Sequence, residues 1–126
     1  MGWGQCCSQI DPNATDGTSG PTGDESWAVP LTRVLFNITG TQQAPVTDIT
    51  IKGVTIRDTR YTYLDPHGMP SGGDWALQRS AAIFFEGTEN ATLEGCKLVR
   101  LDGNAVMLSG YNQHANISDN TFFSIG

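Results

Sequence analysis

NATLEGCKL, residues Asn90–Leu98, shares its pattern with DITIKGVTI, Asp48–Ile56, and with HANISDNTF, His114–Phe122. Aligned without gaps, the three segments give matching positions: Ile51 with Leu93 and Ile117, Val54 with Cys96 and Asn120, and Ile56 with Leu98 and Phe122. A second alignment places AAIFFEG, Ala81–Gly87, on NAVMLSG, Asn104–Gly110, at almost the same offset as that from Leu93 to Ile117. Both alignments therefore agree on one repeat. Periods of roughly 20 to 50 residues predict a solenoid, whose units bury their apolar faces against one another.

The content of the repeat indicates which solenoid this is. Short alternating segments of three to five residues predict strands, and glycine, aspartate and asparagine stand where the bends should be. Neither a leucine-rich motif nor paired amphipathic helices are present. We therefore expect an all-β parallel β-helix of about three coils over residues 30–126, after an irregular lead-in at 1–29. Gly53, Gly95 and Asp119 should share a bend, while Asn120 suits either an inward position, bonded to the backbone, or a solvent-facing turn.

One unit of the repeat is too long. The segment from Ile51 to Leu93 is nearly twice the length of the segment from Leu93 to Ile117, and the excess falls in a stretch that contains DPHGMPSGGDWALQRS. This predicts a long inserted loop at 59–80, which leaves one coil at a corner and leads into the AAIFF strand.

Composition excludes some classes of function. The 126 residues include 13 acidic and 7 basic side chains, a net charge of -6. No basic patch with interleaved aromatic residues occurs, so nucleic acid is not an expected partner. No apolar run approaches the roughly 18 to 20 residues of a membrane span, and the start lacks a signal-peptide pattern. Of the three cysteines we expect Cys96 to be buried and Cys6 and Cys7 to be loop thiols; the sequons at Asn13, Asn37, Asn90 and Asn116 point to an extracellular location.

The segments VTDITIKGVTIRDTRYTYLDPHGMPSGGDWALQRSAAIFFEG, RLDGNAVMLSGYN and ISDNTFFSIG resemble right-handed parallel β-helix proteins of the pectin-lyase-like superfamily. Within this superfamily, the chain most resembles a group of large, mostly uncharacterised right-handed β-helix domain proteins. The resemblance implies that it is a fragment of such a protein. The resemblance implies a right-handed helix and a ligand groove along one sheet, beside loops such as 59–80. The catalytic signatures of polygalacturonases and pectate lyases are absent, so no catalytic residue carries over from them.

The candidate site residues lie in and around the inserted loop. Glycoside hydrolysis needs two carboxyl groups about 5 to 10 Å apart, and a histidine can act as acid or base near neutrality. The predicted catalytic residues are Asp65, His67, Asp74 and Glu86. The predicted substrate-binding residues are Arg57, Asp58, Tyr63, Trp75, Arg79 and Asp102. Phe84 beside Met107 should form an outward apolar strip, covered by the loop or available to a sugar ring.

Each of these residues also has a purely structural interpretation. The aspartates stand in good turn sequences, the arginines can pair with them, and Trp75 and Tyr63 can form the small core of a loop. No cofactor is expected; Asp65 and Asp74 would suit Ca²⁺, without the usual spacing of a calcium loop. Two functions remain, an extracellular polysaccharide hydrolase or lyase and a non-catalytic adhesive β-solenoid that binds glycans or cell-surface partners. In either case we expect the remaining coils of a longer chain to pack on the last strands.

Overall fold

The computed structural model describes residues 29–62, 65 and 78–126, and all regular structure in these ranges is β. The strands are β1 (Phe36–Thr39), β2 (Val46–Thr47), β3 (Thr50–Lys52), β4 (Thr55–Thr59), β5 (Ala81–Glu89), β6 (Thr92–Glu94), β7 (Lys97–Leu101), β8 (Asn104–Gln113), β9 (Asn116–Ser118) and β10 (Thr121–Ile125). Within the described ranges, no helix could cross a lipid bilayer. The predicted all-β class is confirmed for this part of the chain, and the lead-in at 1–28 lies outside it.

The strands form three parallel sheets through which the chain passes in turn. In sheet A, β5 lies between β8 on one side and β1 and β2 on the other; sheet B has the order β3-β6-β9 and sheet C the order β4-β7-β10. All seven pairings between described strands are parallel. We call β1–β4 the first strand set, β5–β7 the second and β8–β10 the third. Pairing of each strand with its counterpart in the next set is compatible with a β-solenoid.

The register of sheets B and C confirms the first alignment. In sheet B, Ile51 pairs with Leu93, and Leu93 with Ile117. In sheet C, Leu98 lies between Ile56 and Phe122. These positions repeat because each inward apolar side chain packs on its counterpart in the next strand set.

Sheet A confirms the second alignment and supplies the centre of the core. Ile83 and Phe85 are buried and pair with Val106 and Leu108. Ala82, which alternation places on the outer side of β5, is also buried and belongs to the same apolar cluster. β5 therefore contributes more buried apolar side chains to the core than any other described strand.

The two long strands of sheet A differ from the expectation. Short strands ending near Gly87 and Gly110 were predicted, but β5 has nine residues and β8 has ten. Both glycines have positive φ, 64° and 62°, and the pairing register shifts between Glu86 and Thr88. Across this shift one residue of β5, Gly87, lies opposite two of β8, Gly110 and Tyr111, so β8 contains a β-bulge, which bends a strand without ending it. Both strands therefore continue past their glycines and carry further side chains to the outer face.

The bends between sheets B and C have the predicted residues in the predicted conformation. Gly53, Gly95 and Asp119 have φ values of 66°, 62° and 55°. Glycine reaches this left-handed region without steric cost, and aspartate tolerates it better than most residues. The same bend therefore recurs in all three strand sets.

Asn120 occupies the inward position of the two alternatives. The backbone N–H of Cys96 donates to Asn120 Oδ1 at 2.8 Å, and Asn120 Nδ2 donates to the Leu93 carbonyl at 2.8 Å. Its side chain thereby joins the bend of the third strand set to that of the second, and it satisfies buried backbone groups.

Candidate functional site

The outer face of sheet A is where the inserted loop rejoins the fold. The described residues of the loop's end, 78–80, lead directly into β5. Phe84 of β5 and Met107 of β8 are register partners, and both are half-buried. They form the outward apolar strip that the sequence predicts.

Beside this strip lies a polar group that we call the Arg79 cluster, made of Arg79, Glu86 and Ser109. Arg79 Nη2 lies 3.4 Å from Glu86 Oε1 and also donates a hydrogen bond to Ser109 Oγ. Glu86 and Ser109 face each other across β5 and β8, so the guanidinium bridges the two strands from outside. Ser109 is buried, whereas the side chain of Arg79 is 62% exposed. The cluster therefore offers a positioned guanidinium with free donors to solvent.

Past the bulge, a second polar pair extends the same face. Tyr111 donates its phenolic hydrogen to Glu89 Oε1. That hydrogen bond, with burial and the negative charge of Glu89, raises the pKa of Tyr111. Tyr111 therefore stays a protonated donor. Neither residue was among the predicted site residues, because the strands were expected to end at the glycines; continued alternation after Gly87 is the signal that identifies them.

Sheet C holds a separate charged group around Asp58. Arg100 binds Asp58 with two hydrogen bonds, Nε to Oδ1 at 2.9 Å and Nη2 to Oδ2 at 3.1 Å, and Arg57 Nε lies 3.2 Å from Oδ2. The hydrogen bonds that Arg100 donates to Asp58 raise the pKa of its guanidinium. Asp58 and Arg100 lie at the same level of adjacent strands, between two register pairs of β4 and β7, and both have positive φ, 59° and 52°. Arg100 was not among the predicted residues, although the first alignment, extended past Ile56 and Leu98, places it on Asp58 and could have identified it.

Asp102 follows β7 directly, near the group around Asp58. Burial raises the pKa of Asp102, and the negative charge of Asp58 raises it further. Its backbone N–H donates to Thr59 Oγ1 at 3.2 Å, and its carbonyl accepts from the Thr62 N–H at 3.2 Å. Asp102 is thus a carboxyl group that holds its proton more tightly than an exposed aspartate.

The predicted site residues fall into separate places. Arg79 and Glu86 meet on sheet A, and Arg57, Asp58 and Asp102 gather on sheet C. Asp65 pairs with Arg33, at 3.0 Å from Nη2 to Oδ1. The remaining predicted residues lie outside the described part of the chain: Tyr63, His67, Asp74 and Trp75.

Residues 29–62, 65 and 78–126 contain no group of three or more histidine, cysteine, aspartate or glutamate side chains that could hold a metal ion. Asp74, one of the two residues suggested for Ca²⁺, lies outside these ranges. Cys96 is a buried free thiol, as predicted, and Cys6 and Cys7 lie outside the described residues.

No protein-family model, curated protein or solved structure matches the chain.

Proposed function

We propose that the three strand sets are successive coils of a right-handed parallel β-helix of the pectin-lyase-like kind. The proposal is supported by parallel pairing of each strand with its counterpart in the next set. The recurring left-handed bends and the inward Asn120 give further support. Almost all parallel crossover connections are right-handed, which favours that hand.

On this fold, we propose that the domain binds glycans on the outer face of sheet A. The observation that carries this proposal is the Phe84 and Met107 strip lying beside the Arg79 cluster. A sugar ring has an apolar face that stacks on flat or flexible apolar side chains, and hydroxyl groups that need paired donors and acceptors. Glu89 and Tyr111 extend the polar side of the same surface.

The charges on this surface favour a neutral glycan. Arg79 contributes +1 and Glu86 and Glu89 contribute -1 each, so the three side chains sum to -1. The whole chain carries -6. A polyuronate would meet repulsion from the chain and from Glu89, whereas neutral hydroxyl groups can accept from Arg79 and donate to the carboxylates.

Binding accounts well for three of the described carboxylates. Glu86, Asp58 and Asp65 each pair with an arginine. An arginine partner holds a carboxylate in one position, which suits a fixed hydrogen-bond acceptor for a sugar hydroxyl.

The test is a binding screen of neutral polysaccharides and polyuronates. We expect affinity for a neutral polymer, reduced about tenfold or more by Arg79→Ala and by Phe84→Ala, since each removes one good contact. Lys52→Ala is the matched control, because its side chain is exposed on sheet B and pairs with Glu94 at 2.8 Å. Tighter binding of polyuronates, or equal losses in all three variants, would contradict the proposal.

A second candidate function is glycoside hydrolysis on sheet C, with Asp102 as acid and Asp58 as base. Burial, and then the negative charge of Asp58, raise the pKa of Asp102, and a carboxyl group that keeps its proton near a second carboxylate is what the general acid of a glycosidase requires. Release of reducing ends, lost in both Asp102→Asn and Asp58→Asn but kept in Arg79→Ala, would support hydrolysis. Absence of product from every polysaccharide would leave glycan binding as the function.

A further inference from the structure

The first strand set also contributes side chains to the outer face of sheet A. β1 pairs with β5 through four consecutive positions, in which Asn37 lies opposite Phe84 and Thr39 opposite Glu86. Ile38, between them, packs against the apolar core, so alternation turns Asn37 and Thr39 outward, and both are exposed. These two side chains therefore belong to the same face as the outward apolar strip.

Asn37 and Thr39 form a polar group of their own, which we call the Asn37 pair. Thr39 Oγ1 donates a hydrogen bond to Asn37 Oδ1 at 3.0 Å. In the described part of the chain, no group accepts a hydrogen bond from Asn37 Nδ2. The bond to Thr39 fixes the orientation of the amide, which leaves the two Nδ2 donors and the remaining acceptor capacity of Thr39 Oγ1 for a ligand.

The Asn37 pair lies level with the proposed sugar site. The pairing of β1 with β5 runs without interruption, and β8 continues it, with Met107 opposite Phe84 and Ser109 opposite Glu86. Neighbouring strands are about 4.8 Å apart, so the face extends about 10 Å from β1 to β8. One strand spacing is close to the length of a sugar residue in an extended glycan. The face can therefore hold two successive sugars across the strands.

The direction along the strands is less suited to a second sugar. Past Glu86, the register of β5 and β8 shifts at a β-bulge. A bulge bends its strand and increases the local twist, so we expect Glu89 and Tyr111 to lie at an angle to the apolar strip. These two side chains also bond to each other. Asn37 is joined to Phe84 by regular pairing and stays in the plane of the strip.

We propose that the Asn37 pair binds the second sugar of a neutral oligosaccharide whose first sugar packs on the apolar strip. This inference rests on the proposed glycan binding and adds the length and direction of the ligand. Asn37 Nδ2 donates to a sugar oxygen, and Thr39 Oγ1 accepts from a sugar hydroxyl. Neither side chain is charged, which agrees with a neutral ligand. The site therefore prefers an extended oligosaccharide of at least two residues to a monosaccharide.

The test is isothermal titration calorimetry with β-linked gluco-, manno- and xylo-oligosaccharides of one to four residues. We expect the disaccharide of a series that binds to have about threefold to tenfold higher affinity than its monosaccharide, since it gains one or two hydrogen bonds. Asn37→Ala and Thr39→Val should each bring disaccharide affinity down to that of the monosaccharide. Thr50→Val, at an exposed position of sheet B, is the matched control and should keep the difference.

An affinity that does not rise from one sugar to two, or a rise that Asn37→Ala and Thr39→Val leave intact, would overturn this inference. Glycan binding on sheet A would stand in that case if Phe84→Ala still weakens it. A rise that Tyr111→Phe abolishes and Asn37→Ala preserves would place the second sugar along the strands and also overturn the inference. Failure of every probe to bind would overturn both proposals. Far-ultraviolet circular dichroism establishes that the variants fold.

Discussion

At the β3–β4 end of the stack, Ile51 and Ile56 are 8% and 3% exposed, whereas at the β9–β10 end their equivalents Ile117 and Phe122 are 42% and 48% exposed. Leu93 and Leu98, which lie between them, are fully buried. The three residues of each row share one alignment position and similar hydrophobicity. In a stacked fold, the burial of a residue therefore depends on whether another strand set packs against it. The repeat pattern predicts only which residues are equivalent.

The backbone does not differ between the two ends. Each strand of sheet B is preceded, two positions earlier, by a residue with positive φ. These residues are Asp48, Asn90 and His114, with φ values of 59°, 57° and 54°. The backbone bend is thus repeated even in the third strand set, whose apolar side chains are exposed. We therefore expect the same change in side-chain volume to alter stability by different amounts at the two ends, although their backbone conformations are alike.

We expect the largest difference in stability between alanine variants of two equivalent glycines, Gly87 and Gly110. A Cβ on Gly87 would lie 2.3 Å from the backbone carbon of Gly40 in the first strand set, whereas on Gly110 its nearest atom is Glu86 Oε1 at 3.1 Å. Both have positive φ, so Gly110→Ala should cost about 1–2 kcal/mol. Gly87→Ala adds backbone overlap that no rotamer relieves, about 3 kcal/mol more. Urea unfolding measures the loss of stability in both variants, and equal losses would show that the backbone at Gly40 does not pack tightly against Gly87.

Core truncation should give the next largest effect. Leu98→Ala empties a fully buried position and should lower the free energy of unfolding by about 2–5 kcal/mol. Phe122→Ala, in the same row, should cost less than about 2 kcal/mol in dilute solution because half of its surface is already exposed. A larger loss for Phe122→Ala than for Leu98→Ala would contradict the comparison.

Asn120 links the open end to the middle of the stack, and its removal should have an intermediate effect. Asn120→Ala leaves the buried Cys96 N–H without its acceptor and should cost about 1–3 kcal/mol. Asn116→Ala, at an exposed position of β9, is the matched control and should change stability by less than about 0.5 kcal/mol. Hydrogen exchange at the Cys96 amide should accelerate only in the first variant. Unchanged exchange there would mean that another group satisfies this N–H.

Repetition explains how much of the fold the sequence could predict. The pairing of Ile51, Leu93 and Ile117 follows from the alignment because parallel stacking places equivalent residues side by side. The lengths of β5 and β8 did not follow, because the sequence alone does not distinguish a glycine bulge from a bend. That distinction depends on hydrogen bonding to neighbouring strands.

The candidate site was less predictable than the fold because it depends on pairs brought together from distant positions. The adjacency of Phe84 and Met107 was predictable from the repeat. The pairing of Arg79 with Glu86 was not, since it depends on where the end of the inserted loop lies against sheet A. Glu89 and Tyr111 were missed for the same reason as the strand lengths.

Asp102 should give the smallest effect and one that depends on pH. Burial, and then the charge of Asp58, raise its native pKa above the unfolded value of about 3.9, so the native state holds this proton more tightly. Its stabilising contribution is complete below the unfolded pKa and is lost as pH rises through the native pKa, where burying the ionised carboxylate becomes unfavourable. Asp102→Asn should therefore raise stability at pH 7, and the gain should vanish below about pH 4. Asp119→Asn, on an exposed bend, is the control. An Asp102→Asn chain that is less stable than wild type at pH 7 would mean that the ionised carboxylate has a favourable partner, and would remove the basis for assigning it as an acid.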